Sequence, residues 1–204
     1  MFDSLLVQFL YAGAAIFLLY LWIKDYRAQQ QGMPLPASPL PGAFPASRAI
    51  CLIAVAGAVL LLLGEVAGEY ALDLVDQQTE ITLFFGLITL GAAIIEEIIF
   101  RGYLVVTKKG RLWLIGSIVF FSLIFALIHG HFWDYSQEEG LEWTFTTKAY
   151  FTTTFLFLNS LWFYAVRFLP WNTKNSLLPC FLAHATSNLG VVVVKALQGY
   201  VVGF

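Results

Sequence analysis

IIEEIIFRGYL, residues 94–104, sets two adjacent glutamates and an arginine inside one of the most apolar stretches of the chain. A carboxylate at the centre of a bilayer-length helix costs about 2.5–3.5 kcal/mol on insertion scales. Whether this stretch is a membrane helix decides the fold, and the composition around it says that it is. Of the 204 residues, 59% are hydrophobic and 12% charged, where a soluble domain keeps roughly a quarter of its residues charged. The chain reads as an integral membrane protein. A net charge of −2 without a long basic run leaves no electrostatic footprint for nucleic acid. Cys51 and Cys180 both lie in apolar segments and read as small buried hydrophobes, with no disulfide framework or metal-binding CxxC.

Apolar runs of bilayer length fall at 4–23, 49–68, 82–106, 112–130, 150–169 and 177–199. They predict an all-α membrane protein of about six transmembrane helices, the last four forming a four-helix core. The first run lacks a basic segment before it and is followed by Lys24 and Arg27, so it reads as a retained anchor and not a signal peptide. Residues 29–47, QQQGMPLPASPLPGAFPAS, hold five of the seven prolines and read as an extended, hydrated connector. The expected organisation is an anchor helix with its connector over 1–48 and a membrane-embedded domain over 49–204, its polar motifs within 82–199.

The connectors alternate in charge. Lys24, Arg27 and Arg48 follow the first run; Lys108, Lys109 and Arg111 the third; Arg167 and Lys174 the fifth. The intervening loops carry Glu65, Glu69, Asp73, Asp76 and Glu80, then Asp134, Glu138, Glu139 and Glu142, with Lys148 their only base. The positive-inside rule puts the basic connectors in the cytoplasm and both termini on the other side.

Adjacent positions on a helix diverge by about 100°, so Glu96 and Glu97 face different ways. Arg101 follows Glu97 by four residues, the order that suits a helical ion pair. Pairing those two leaves Glu96 to project into a cavity, where low dielectric tunes a carboxylate toward general-base work; the bland reading is a polar clasp between helices. The fourth run ends FSLIFALIHGHFW, with His129 on the face of Phe125 and His131 at the membrane edge. The sixth opens LLPCFLAHATSNLG, with His184 and Asn188 on one face. Two such donors suit an oxyanion, and equally an interhelical clasp beside the small Ala183, Ala185 and Ser187. Taken together, a carboxylate base, a histidine to help hold water and a His/Asn donor pair are the parts needed to hydrolyse a peptide bond.

EEIIFR, FALIH and HATSN match the patterns EExxxR, FxxxH and HxxxN, in order and each on an apolar run. On these motifs, which span residues 96–188, the chain resembles the CPBP family of type II CAAX prenyl endopeptidases and their bacterial Abi relatives, glutamate-dependent intramembrane proteases. The resemblance implies that Glu96 activates water with help from His129, that His184 and Asn188 stabilise the oxyanion, and that Glu97 and Arg101 support the site. It implies a multi-pass protein of a bacterial plasma membrane acting on a peptide or protein substrate in or at the bilayer, without a cofactor. It also implies a cytoplasm-facing cavity, reached from the side of Lys108, Lys109 and Arg111. Nothing in the sequence reads a prenyl group. Two alternatives stand beside it: a non-catalytic scaffold, immunity or regulatory protein on the same fold, and a zinc enzyme using Glu96, Glu97, His129 and His184 as ligands, although HExxH is missing.

One feature resists this reading. At ~1.5 Å per residue, Glu96 lies about 15–18 Å from the cytoplasmic end of its helix, His129 about 26 Å and His184 about 11 Å. A shared site requires the fourth helix to be tilted or sunken, or the sixth to begin before Ser176.

Overall fold

A computed structural model describes residues 5–34, 36–136 and 140–203; Glu138 and Glu139 of the acidic loop lie outside the described residues. Six helices follow one another: α1 Leu5–Gln30, α2 Arg48–Ala71, α3 Leu83–Glu96 with a π-helical continuation Glu97–Tyr103, α4 Arg111–Leu127, α5 Thr147–Phe168 and α6 Leu178–Gln198. Local chemistry sets their ends. Ser47, Thr82 and Thr146 cap α2, α3 and α5 through side-chain oxygens that accept from Ile50, Phe85 and Ala149 amides. Each such cap is worth about 1 kcal/mol. Pro179 sits in the first turn of α6, and Gly199, at φ 85°, closes it in the left-handed conformation.

Four helices, α1, α2, α3 with its continuation, and α6, are long and apolar enough to cross a bilayer. The fourth is apolar but has 17 residues, and α5 carries Lys148, Asn159, Ser160 and Arg167 along its length. A hairpin absent from the sequence reading, Trp133–Ser136 paired antiparallel with Gly140–Trp143, joins α4 to α5. The fold is that of an all-α membrane protein.

The bundle is built on α2 lying along α6, with α3 between α1 and α6, α4 against α5, and α5 touching both α2 and α6. Small residues mark the close approaches: Gly57 meets the indole of Trp162, and Gly86 faces Val192. The helices alternate in direction. At one end Trp22 Nε1 donates to the Pro41 carbonyl (3.1 Å), Leu40 N to Asp25 (2.8 Å) and Leu177 N to the Gly42 carbonyl (2.9 Å). At the other, Glu69 accepts from Lys148 (2.5 Å) and Gln78 (2.6 Å), while Lys195 donates to Gln78 (2.8 Å) and to the Thr79 carbonyl (2.6 Å). The basic connectors thus share one end and the acidic loops the other.

Two expectations need correction. The proline-rich connector is not hydrated throughout: Ala43 is buried, Leu40 packs on the core, and Ser176 Oγ donates to the Phe44 carbonyl. Gly42 makes this possible. It turns at φ 62°, and a Cβ there would lie 2.9 Å from the Leu177 amide. The sixth helix does not begin before Ser176; the depth difference is absorbed in α4. The Val106 amide donates to Ser117 Oγ at 3.1 Å, six residues into α4, so that helix is set back by about 9 Å toward the basic end.

The continuation of α3 is wound more widely than an α-helix. Leu104 N reaches back five residues to the Ile99 carbonyl, and the Phe100 carbonyl, which it would otherwise engage, accepts from the Tyr164 hydroxyl of α5 at 2.8 Å. Such π segments recur at functional sites.

Candidate active site

The two glutamates stand where α3 changes its winding. Glu97 is fully buried, its Oε1 3.1 Å from an Arg101 guanidinium nitrogen and 2.8 Å from His184 Nδ1. Arg101, also fully buried, donates to the Ser160 carbonyl at 3.2 Å and to Ser160 Oγ at 2.6 Å. Its guanidinium lies 4.6 Å from the Phe125 ring centre, 4.8 Å from that of Tyr164 and 5.2 Å from that of Phe163. Aromatic faces, a hydroxyl and one carboxylate together make a buried cation tolerable.

An ionised carboxylate only accepts, so His184 Nδ1 carries the proton it gives to Glu97. Nε2 then faces Glu96 Oε2 at 3.7 Å, longer than a direct hydrogen bond. Glu96 is the more open acid, with 22% side-chain exposure against 0% for Glu97. One imidazole is flanked by both carboxylates, one at each ring nitrogen. Phe163 stacks on that ring at 4.6 Å and Phe125 meets it edge-on at 5.8 Å, fixing its plane.

His129 lies just beyond the end of α4, its Nδ1 2.6 Å from the Phe125 carbonyl and its ring 4.7 Å from the Phe125 ring. The Asn188 amide donates to the Thr89 carbonyl of α3 at 2.7 Å, so it clasps two helices. Its bond to Thr89, and that of His184 to Glu97, mean that the two do not aim their assigned hydrogen bonds at a single point. Glu96, His129, His184 and Asn188 nevertheless line one cavity of about 560 Å³. Glu97 and Arg101 stand behind it.

Sequence reasoning missed Asn159 and Ser160. Asn159 lines the same cavity, and Ser160 anchors Arg101. The signal was present, for FLFLNSLWFY interrupts an apolar run with two polar residues as the other motifs do. His131, read as interfacial, lies at the cavity mouth. The residue is exposed at its surface side, yet partial desolvation first, and then the positive fields of His129, Lys148 and Lys195, push its pKa down to about 4.

From Glu96 and His184 the cavity runs past Asn188 to Glu69, Gln78, Lys148 and Lys195, the acidic end of the bundle, away from Lys108, Lys109 and Arg111. As for zinc, among the described residues no three His, Cys, Asp or Glu side chains are grouped as ligands of one ion, and Glu97 is already engaged by Arg101 and His184.

Comparison with curated proteins and with solved structures finds no match for the chain. The family model described as type II CAAX prenyl endopeptidase Rce1-like does match, over residues 78–190. That stretch runs from Gln78 through all three motifs and is more than half of the chain. Neither α1 nor α2 falls within it. With this match laid over an apolar helical bundle, the chain belongs to the Rce1-like family, a family of proteases, and is an integral membrane protein.

Proposed function

We propose that the chain is an intramembrane endopeptidase that hydrolyses a peptide bond with water activated by Glu96. The observation that carries this is the pair of carboxylates flanking His184, one buried and engaged, the other open to the cavity. Glu97 holds the imidazole by Nδ1, as a third group orients the base in hydrolytic triads, and so directs Nε2 toward Glu96. A water shared by Glu96 and His184 loses its proton to Glu96, and its oxygen attacks the scissile carbonyl carbon. The new C–O bond forms as the carbonyl π electrons move to oxygen. Collapse of the tetrahedral intermediate breaks the C–N bond, and Glu96 returns the proton to the leaving amine. His129, whose Nδ1 is fixed on the Phe125 carbonyl, offers Nε2 to the water. The oxyanion is assigned to the second N–H of Asn188 and to the Asn159 amide. Both termini lie on the non-cytoplasmic side by the positive-inside rule.

The test compares membranes carrying the native chain with membranes carrying Glu96→Gln, by mass spectrometry of newly formed peptide ends and then by cleavage of the peptide so found. Removing a general base costs typically 10²–10⁴-fold in rate. Among the described residues Glu96 forms an ion pair only with His184, at 3.7 Å, so the variant is expected to fold like the native chain. Full activity in Glu96→Gln would refute the assignment.

A further inference from the structure

We propose that the basic end of the bundle carries a site for one anionic phospholipid, its headgroup on Lys108, Lys109 and Arg111 and an acyl chain in the groove beside them on α4. This groove, of about 540 Å³, is separate from the cavity of Glu96 and is walled by Val106, Trp113, Phe120 and Phe121, with Gly116 among them. At Gly116 nothing lies within 4 Å of where a Cβ would stand, so the hollow owes its room there to a missing side chain. The hydroxyl in the wall is already used: Ser117 Oγ accepts from the Val106 amide (3.1 Å) and donates to the Leu114 carbonyl (2.9 Å). What remains is an apolar trough of the kind that holds a hydrocarbon chain.

Charge fixes the occupant. Residues 98–133 contain no aspartate or glutamate. Lys108, Lys109 and Arg111 are exposed, and among the described residues no carboxylate pairs with any of them. Lys109 Nζ stands 5.2 Å from the centre of the Trp113 ring, which brings a cation to the wall of the groove itself. A neutral lipid or an apolar helix laid there would fill the trough and leave three cations unanswered. An anionic headgroup answers them, as basic pockets beside membrane helices do for acidic lipids.

Depth agrees with that assignment. Ser117 stands level with Val106, so the first six residues of α4 project about 9 Å past the end of α3 and its continuation. Trp113 then falls where indoles mark the boundary between membrane and water. From Arg111 to Phe120 is nine residues, about 14 Å of helix, so a lipid with its phosphate at Arg111 lays the upper part of one chain past Gly116. That chain gains little by leaving other lipid tails, which are as apolar as the groove. Selectivity therefore comes from the headgroup, at about fivefold for each lysine or arginine and roughly 100-fold for three. The bound lipid covers the contact of Val106 with Ser117, the bond that sets the depth of α4 and with it the depth of His129.

The site does not rest on the proteolytic reading, and its test reads binding without turnover. The chain is purified in detergent in a Cys51→Ser background, where Cys180, fully buried, reacts with a thiol dye only on unfolding and so reports that each variant is folded. Native mass spectrometry follows titration with phosphatidylglycerol or with phosphatidylcholine of the same acyl chains. The first phosphatidylglycerol is expected to bind roughly 100-fold more tightly than the first phosphatidylcholine. Lys108→Gln, Lys109→Gln and Arg111→Gln together bring it down to the phosphatidylcholine level, and Gly116→Leu, which fills the groove, abolishes the tight step. Lys24→Gln, Arg48→Gln and Lys174→Gln, an equal loss of exposed charge at the same end, leave the tight step in place. Equal affinity for the two lipids, an equal loss in the second triple variant, or a tight step that survives Gly116→Leu overturns the proposal. So does displacement of the bound lipid by an equal concentration of glycerol phosphate, which carries the anion without the chains.

Discussion

Replacing Arg101 by methionine, alone and together with Glu97→Gln, isolates the interaction at the centre of the bundle. At the 3.1 Å separation of Arg101 from Glu97, two unit charges attract by about 5 kcal/mol at an effective dielectric of 20. Desolvation opposes most of that, so the useful measure is the cost of breaking the pair from one side, about 3–5 kcal/mol for a buried ion pair. Arg101→Met belongs near the lower bound, because His184, 2.8 Å from the same carboxylate, still donates a hydrogen bond to it. Using the scaling for a domain of this size, a loss of about 3 kcal/mol lowers the melting temperature by roughly 6–12 °C. In the double variant both charges are gone, and its loss falls short of the sum of the singles by about 2 kcal/mol, within the range seen for contacting groups. The assay is thermal unfolding in detergent in the Cys51→Ser background, read by a thiol-reactive dye at Cys180, which is fully buried in the fold. If the two losses add within about 0.5 kcal/mol, as for independent sites, the carboxylate and the guanidinium do not neutralise one another as argued here.

Two further substitutions fall at positions outside the matched region. Gly57→Ala places a methyl on the indole of Trp162, whose Nε1 is anchored to the Ala54 carbonyl at 3.0 Å and cannot move freely. Overpacking of about 3 kcal/mol, offset by about 1 kcal/mol of helix propensity, gives a net loss of about 2 kcal/mol, and a variant more stable than the native chain in the same thermal assay contradicts it. Trp22→Phe removes the bond to Pro41, worth about 1 kcal/mol. Faster limited proteolysis within residues 31–44, with little change in global melting, is the expected result; unchanged proteolysis means the connector is held by other contacts.

The parts of this structure legible in the sequence are those governed by local periodicity and by the cost of burying charge. The spacing of Glu97 and Arg101 located an ion pair and left Glu96 toward open space, because four residues on any helix share a face. The alternation of Lys and Arg with Asp and Glu between runs located which ends lie together, because loop charge follows helix direction. What stayed hidden depends on partners distant in sequence. Asn188 is tied to Thr89, and His184 to Glu97, across helix interfaces that no spacing reveals. The set-back of α4 follows from one bond between Val106 and Ser117. The connector misled because proline content reports backbone stiffness and says nothing of Trp22 and Asp25 waiting on α1 to receive it.

The wide turn at Glu97–Tyr103 gives the bundle an asymmetric tolerance to changes in length. Upstream, Thr89 is fastened to Asn188; at its far end, Gly102 abuts Pro41. Between these two moorings the chain carries one residue more than ordinary pitch accommodates, and the bulge stores it as slack. Losing a residue there would let the coil relax to regular winding, handing the Phe100 carbonyl back to the backbone and leaving the Tyr164 hydroxyl unmet, whereas an added residue would find the slack already taken up.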